Sequence, residues 1–253
     1  MIDSHAHLQD QRFADDLVKV VENAFDSGLS HIACVGYDLA SSRQAIAMAE
    51  ADARILAIVG IHPHEAGTFT DEDLAELYAL ASNNRVVAVG EMGLDYYYDG
   101  EFKIEQDLLL RAQIRIAHEI GKPVVIHDRD AHQEILSILR EEKAGINGGI
   151  MHCYSGSWEM VNDFIRLGFY LSLAGPLTFK NAKKTVEVAA NLDLSHLLVE
   201  TDCPYLTPEP YRGRRNEPLR VWEVANKVAA IKGISLAEVE IATDNNCRQL
   251  FNL

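Results

Sequence analysis

The sequence predicts an α/β fold of the (β/α)8 TIM-barrel class, and three features lead to this prediction. The chain has 253 residues, a length typical of one such barrel, and 48% of them are hydrophobic. Eight short apolar runs alternate with segments of helical period. Most of these runs are continuous in Val, Ile, Leu and Ala, as strands covered on both faces require. We therefore expect one domain over residues 1–253.

The elements follow one another in a regular order. The predicted strands cover residues 2–5, 31–36, 55–61, 86–91, 123–127, 149–152, 170–173 and 197–200. Gly28 and Gly121 are placed to end two of the intervening helices. Thr70 is placed to begin another, with Asp73 at the position that completes a capping box. A loop rich in Pro, Gly and Arg covers residues 204–218, and helical patterns follow it over 219–232 and 236–250.

The overall charge limits the classes of partner. The net charge of −15 argues against a protein that coats long nucleic acid or an anionic membrane, because its mean field repels both. No apolar run approaches the roughly 20 residues of a membrane span, and no signal pattern follows Met1. The four cysteines form no C-x-x-C motif, so we expect reduced thiols. A cytoplasmic protein with no membrane contact is predicted.

The residues at the ends of the predicted strands indicate a metal site. Side chains at i and i+2 of a strand point to the same side, so His5 and His7 present two imidazoles together. Two neutral imidazoles can hold a metal ion, although a single His-x-His also occurs by chance on surface strands. Metal-competent groups also end four further strands: Glu91, His127, His152 and Asp202. Since the carboxyl ends of barrel strands share one mouth, these six side chains are expected to converge.

Several motifs resemble those of the TatD family of metal-dependent deoxyribonucleases. They are Ile2-Asp-Ser-His-Ala-His-Leu8, Gly60-Ile-His-Pro-His64, Gly90-Glu-Met-Gly-Leu-Asp95, Pro123-Val-Val-Ile-His127, His152-Cys-Tyr-Ser-Gly156, Glu200-Thr-Asp-Cys-Pro204 and Gly213-Arg-Arg-Asn-Glu-Pro218. The motifs occur in the family's order and span nearly the whole chain. Met92 stands where Ile is more usual, a change that conserves volume.

The resemblance implies a TIM-barrel hydrolase of the amidohydrolase superfamily with two divalent metal ions. It implies that one ion is held by His5, His7, Glu91 and Asp202, and the other by Glu91, His127 and His152, with Glu91 bridging both. Two such metals can activate a water and stabilise both oxygens of a phosphodiester. Asp202 then accepts the proton of the attacking water, so Asp202 and Glu91 are the expected catalytic residues. An aspartate at a strand end is otherwise more often a helix cap or a turn former.

The identity of the metal stays open. Four imidazoles and two carboxylates suit Zn or Mn better than Mg, which prefers oxygen ligands and retained waters. Members of the family are nonetheless associated with Mg-dependent nuclease activity, and the two sites can hold different ions.

Two motifs beside the expected ligands are candidates for substrate binding. His62 and His64 form another i, i+2 pair, and by spacing alone they are also possible ligands. The resemblance places this motif near the substrate phosphate, whereas a turn with structural histidines is the alternative. The tyrosine run over residues 96–98 follows Glu91, where rings at a pocket mouth can stack on the bases of a single strand. These rings can also pack the loop against the barrel rim.

Two further segments are predicted to contact phosphate. Tyr154 follows the expected ligand His152 and is expected to be exposed. Arg214 and Arg215 lie on the loop after the eighth strand, and guanidinium groups bind phosphate oxygens in a fork geometry. Loops after strands seven and eight often serve phosphate in this fold. The alternative is that Glu209 and Glu217, which flank the arginines, pair with them.

Three classes of function follow from these features. The first is a metal-dependent nuclease that acts on DNA ends, with single-stranded DNA as the expected substrate. The second is an amidohydrolase-type enzyme that cleaves an ester or amide bond, for example in deacylation of aminoacyl-tRNA. This second class is weakened because the fifth strand ends in His127 rather than in a lysine that could be carbamylated. The third is a non-enzymatic metal-binding protein, against which the full ligand set argues. A monomer is expected.

Overall fold

The computed structural model describes residues 1–98 and 100–253, and its strands form one parallel sheet in the order β1 to β8. The strands are β1 (Ile2–Ala6), β2 (His31–Val35), β3 (Ile55–Val59), β4 (Val86–Asp95), β5 (Val124–Arg129), β6 (Gly149–Met151), β7 (Phe169–Leu173) and β8 (Leu197–Val199). Helices alternate with these strands along the chain. The fold is therefore the predicted (β/α)8 barrel.

The helices begin and end where the sequence signals indicate. They are α1 (Leu17–Asp26), α2 (Leu39–Ala51), α3 (Asp71–Ala81), α4 (Lys103–Ile120), α5 (His132–Glu141), α6 (Trp158–Arg166), α7 (Lys183–Asn191), α8 (Val221–Lys232) and α9 (Leu236–Phe251). The Thr70 hydroxyl accepts from the Asp73 amide, and the Asp73 carboxylate accepts from the Thr70 amide, which confirms the capping box. Gly121 ends α4 in the left-handed conformation, as its position predicts.

The largest difference in the strand boundaries concerns β4. The apolar run predicts an end at Glu91, whereas the strand continues to Asp95. The continuation is stabilised by pairing with β5, in which Gly93 lies opposite His127 and Asp95 opposite Arg129. Pairing partners from a distant part of the chain therefore override the Gly-rich local composition.

Contacts within the described chain define two compact units. The first unit comprises Met1–Cys34, Cys153–Val161 and Leu171–Leu253, and the second comprises Val35–His152 and Asn162–Tyr170. In the first unit β1 pairs with β2, β7 pairs with β8, and a parallel bridge joins Ala6 to Cys203. In the second unit β3, β4, β5 and β6 pair in sequence. The expectation of a single domain remains a prediction.

Each unit has an apolar interior that fixes its strand ends. In the second unit Leu109 and Leu110 of α4 are buried, as are Ile58 of β3 and Leu94 of β4. Full burial of each such side chain contributes about 1.5–3 kcal/mol relative to exposure. In the first unit Leu8 and Phe13 are buried directly after β1.

Within residues 1–98 and 100–253, no helix combines the length and the apolar character that crossing a bilayer requires.

Candidate metal centre

The first unit brings His5, His7 and Asp202 together as one group of metal donors. The Nε2 atoms of the two histidines lie 3.3 Å apart, and Asp202 Oδ1 lies 3.3 Å from His7 Nε2 and 3.9 Å from His5 Nε2. Ligand atoms bound at about 2.1 Å to one ion lie roughly 3.0–3.4 Å from one another. The chemistry and the spacing of these donors therefore fit a divalent ion, as the sequence predicts for these three residues.

Main-chain hydrogen bonds hold the segment after β8 against the end of β1. The Asp202 amide donates to the His5 carbonyl at 2.9 Å, and the His7 amide donates to the Cys203 carbonyl at 2.7 Å. Asp202 has a φ of 55°, in the left-handed region that non-glycine residues seldom adopt. Strain of this kind concentrates at functional sites, where the surrounding structure enforces it.

Asp3 stabilises this group by binding Thr201, the residue before Asp202. The sequence did not predict this role. Asp3 Oδ1 accepts from the Thr201 amide at 2.9 Å, and Asp3 Oδ2 lies 2.6 Å from the Thr201 hydroxyl. Burial raises the pKa of Asp3 to about 8, although the hydrogen bonds with Thr201 act in the opposite direction. Strand alternation places Asp3 on the same side as His5, and this alternation is the feature of the sequence that could have identified Asp3.

The second unit assembles a second donor group around Glu91. Its Oε1 atom lies 2.8 Å from His127 Nδ1, 3.4 Å from His152 Nε2 and 3.8 Å from His62 Nε2. Glu91 is 4% exposed, so its carboxyl group is buried among imidazoles. Such a set of donors suits Zn or Mn. The geometry places His62 among the possible ligands, which is the alternative that its spacing left open.

Gly90, the residue before Glu91, allows the main chain of β4 to lie close to β5. Gly90 has a φ of 152°, and a Cβ atom at this position would lie 2.5 Å from the Val125 carbonyl oxygen. Only glycine therefore allows β4 to approach β5 this closely directly before Glu91.

His127 is held between two carboxylates. Its Nδ1 faces Glu91, and its Nε2 lies 3.3 Å from Asp95 Oδ2, which also lies 3.2 Å from His64 Nε2. Burial alone would lower the pKa of His127, but the hydrogen bonds with Asp95 and Glu91 outweigh burial and raise it to about 9. Burial likewise opposes ionisation of Asp95, yet its bonds with His127 and the Tyr98 amide hold its pKa well below the ordinary value.

Two buried glutamines of α4 fix the loops that carry these residues. Gln113 accepts from the Ile61 amide and donates to the Ile61 carbonyl, both at 2.8 Å. Gln106 binds Asp95 in the same way, at 2.8 and 3.2 Å. Each side-chain amide thus satisfies both main-chain polar groups of one residue. His62 directly follows Ile61, the residue that Gln113 binds.

Replacing Gln113 by Leu should lower the free energy of unfolding by about 2–6 kcal/mol, because two buried main-chain groups then lack partners at about 1–3 kcal/mol each. Urea unfolding monitored by circular dichroism measures the change. Gln44→Leu, at an exposed position of α2, is the matched control and should change stability little. Equal stability of the two variants would contradict the role of Gln113.

The expected exposure of Tyr154 is wrong. Tyr154 is 4% exposed, and its hydroxyl donates to the Ser157 carbonyl at 2.8 Å. The loop folds back over the ring because residue 156 is glycine; a Cβ there would lie 2.5 Å from the Tyr154 hydroxyl oxygen. The hydroxyl is therefore engaged in holding the loop.

The two predicted phosphate-binding arginines differ in their contacts. Arg215 forms a two-point ion pair with Asp16, with both N–O distances at 2.7 Å, and lies 3.3 Å from Glu217. The contacts with Asp16 attach the loop after β8 to the segment before α1, and Glu217 is one of the two glutamates that the pairing alternative named. Arg214 is exposed, and no carboxylate in the described part of the chain pairs with it.

A (β/α)8 barrel with imidazole and carboxylate groups in and after its strands is typical of metal-dependent hydrolases. The chain belongs to the TatD family, because the model of TatD related DNases matches residues 2–252. It is a metal-dependent hydrolase, as the resemblance implied.

Relatives and solved structures cover the full length of the chain. An uncharacterized metal-dependent hydrolase, YabD of Bacillus subtilis, is 43% identical over 100% of this chain and 99% of its own. A 3'-5' ssDNA/RNA exonuclease TatD from Enterobacter lignolyticus is 33% identical over 100% and 99%. The crystal structure of YJJV, a TatD homologue from Escherichia coli, superposes with a TM-score of 0.95 at 29% identity, covering 100% of this chain and 98% of that one.

Proposed function

We propose that this protein is a nuclease that uses two divalent ions to hydrolyse phosphodiester bonds at the ends of single-stranded nucleic acid. The observation that carries the proposal is the pair of donor groups, His5 with His7 and Asp202, and Glu91 with its three imidazoles. His5 and His127 lie within the last three residues of β1 and β5, and His152 and Asp202 follow β6 and β8 within three residues. Such folds build their active sites at these strand ends. The exonuclease named among the relatives supports a single-stranded substrate.

The ligands are assigned by proximity and by the family resemblance. In this proposal His5, His7 and Asp202 would hold one ion, and His127 and His152 would hold the other with His62 beside them. The family resemblance adds Glu91 as a carboxylate that would bind both ions. Two ions supply Lewis-acid stabilisation of the attacking and leaving oxygens. Zn and Mn fit the nitrogen-rich donors better than Mg does. The cytoplasmic location and the monomeric state expected from the sequence remain predictions.

The side chains of this protein then orient the substrate and handle the proton. Asp202 offers the more exposed carboxylate, at 9% against 4% for Glu91, and is the proposed acceptor of the proton of the attacking water. His64, whose ring faces Asp95, and the exposed Arg214 are proposed contacts for the phosphate. Glu91 is buried and suited to holding the geometry.

Replacing Glu91 by Ala should remove most of the metal from the second group, because its carboxylate oxygen is the common neighbour of three imidazoles. Purified protein is dialysed against Mn or Zn and analysed for metal per chain. Glu187→Ala, at an exposed position of α7, controls for the loss of a carboxylate. A metal content equal to wild type in Glu91→Ala would refute the central position of this residue.

The function itself is tested with a panel of substrates. Wild-type protein loaded with Mn, Mg or Zn is incubated with single-stranded DNA, duplex DNA, RNA and a p-nitrophenyl ester. We expect release of mononucleotides from single strands, abolished by EDTA. Metal-dependent ester cleavage with intact oligonucleotides would instead favour an amidohydrolase-type activity, and absence of both activities would overturn the proposal.

A further inference from the structure

Two tyrosines after β4 hold an arginine from the end of β5. The guanidinium carbon of Arg129 lies 4.2 Å from the ring centroid of Tyr97 and 4.5 Å from that of Tyr98. The two rings are nearly perpendicular, at 89°, with centroids 4.8 Å apart. Both tyrosines nevertheless remain 61–62% exposed. One cation is thus fixed by two aromatic rings whose surfaces are largely open to solvent.

This cluster is continuous with the second donor group. Ring centroids are 4.5 Å apart between His127 and His62, 4.2 Å between His62 and His64, and 5.6 Å between His64 and Tyr98. A row of rings therefore leads from the buried carboxylate of Glu91 to the surface. A polymeric substrate with its reacting phosphate at the donor group can extend along this row.

The guanidinium of Arg129 is exposed and contacts aromatic rings. Within residues 1–98 and 100–253, no carboxylate pairs with its guanidinium. Arg215, in contrast, is neutralised by Asp16. In a chain with a net charge of −15, a cation that is fixed by aromatic rings and has no carboxylate partner among the described residues is a local exception that favours an anion.

Packing of the loop does not by itself account for all three tyrosines. Tyr96 packs the loop against α4, because the Lys103 ammonium lies 3.8 Å from its ring centroid and the residue is half-buried. Tyr97 and Tyr98 are exposed instead. The sequence left open whether this run packs the rim or stacks on bases; in the structure Tyr96 packs against Lys103, whereas the rings of Tyr97 and Tyr98 stay exposed.

We propose that Tyr97, Tyr98 and Arg129 form a nucleotide subsite of the nuclease. An unpaired base stacks on a tyrosine ring, and the Arg129 guanidinium binds the adjacent phosphate. Bases inside a duplex have both faces covered, so the subsite selects single-stranded polynucleotides over duplexes and over small phosphodiesters. The inference rests on the proposed function and adds a specificity determinant to it.

Kinetics on two substrates test the subsite. Tyr98→Ala should raise KM for a short oligothymidylate about 5- to 100-fold, the range expected for losing one stacked base. Arg129→Ala should raise this KM as well, because a contact to phosphate is lost. KM for methyl p-nitrophenyl phosphate, which has no base, should be unchanged. The kcat values on both substrates should also be unchanged. Tyr98→Phe keeps the ring and should resemble wild type. Lys103→Ala removes a cation from the neighbouring tyrosine and is the matched control.

Binding separates this inference from the proposed function. Fluorescence anisotropy with labelled oligothymidylate in EDTA reports affinity without turnover, so it is informative even if wild type hydrolyses nothing. Arg129→Ala should weaken binding and lower the salt slope by about 0.7, the contribution of one phosphate contact on a single strand. Affinities and KM values equal to wild type in both alanine variants would overturn the subsite while leaving the nuclease intact. Equal losses on both substrates would assign the cluster a structural role and would also overturn it.

Discussion

Asp202→Asn is expected to lower turnover on single-stranded DNA by about 10²–10⁴-fold, the usual contribution of a positioned acid or base. An amide has nearly the shape of the carboxylate but cannot accept the proton of the attacking water at neutral pH. The fold should persist, because the Asp202 amide donates to the His5 carbonyl and the substitution leaves this main-chain bond in place. Steady-state rates at saturating substrate measure the loss.

The controls separate chemistry from metal binding. Metal content is determined on the same samples, because a neutral amide is a weaker ligand than a carboxylate. Asp15→Asn, at an exposed position before α1, makes the same exchange outside the donor groups and should retain wild-type turnover. Wild-type rates in a fully metal-loaded Asp202→Asn variant would remove this carboxylate from the mechanism.

The parts of the fold that follow from local patterns could be predicted from the sequence. Apolar runs located all eight strands of the described chain, and the Thr70–Asp73 pair located the start of α3. The pair of histidines at positions 5 and 7 was predicted because strand geometry alone puts their rings on one side. Each of these inferences needs only residues that are close in the sequence.

The features that the sequence did not predict depend on contacts between residues that are distant in the chain. Gln113 binds Ile61 across 52 positions, and Asp3 binds Thr201 across 198 positions. No local period identifies such partners. The position of Tyr154 was mispredicted for a related reason, since burial there depends on how the following loop turns back rather than on strand alternation.

The metal affinity of the second donor group should increase about tenfold per pH unit between pH 6 and 8, because one proton must leave His127 when a metal takes its place. The sign follows from the pKa of about 9, raised above the ordinary 6.5. Below pH 9 the ring of the metal-free protein carries the proton, and above it the dependence disappears. The same shift stabilises the metal-free fold at acidic and neutral pH, and this stabilisation is lost as the pH rises through 9.

Asp95→Asn identifies the origin of this pH dependence. Asp95 Oδ1 accepts from the amides of Tyr97 and Tyr98, and an asparagine oxygen can keep both bonds. The asparagine amide then faces His127 Nε2, where the carboxylate oxygen lay, and this neutral donor no longer favours the imidazolium. The variant should therefore bind Mn or Zn with a weaker dependence on pH near neutrality.

Calorimetry of Mn or Zn binding in two buffers of different ionisation enthalpy counts the protons released. Wild type should release about one proton from His127 at pH 7, and Asp95→Asn should release fewer, because the ring is then already partly neutral. Asp71→Asn, an exposed aspartate in the first turn of α3, should release as many protons as wild type. If wild type and Asp95→Asn released equal numbers of protons, the ion would not be displacing a proton held by the Asp95–His127 pair.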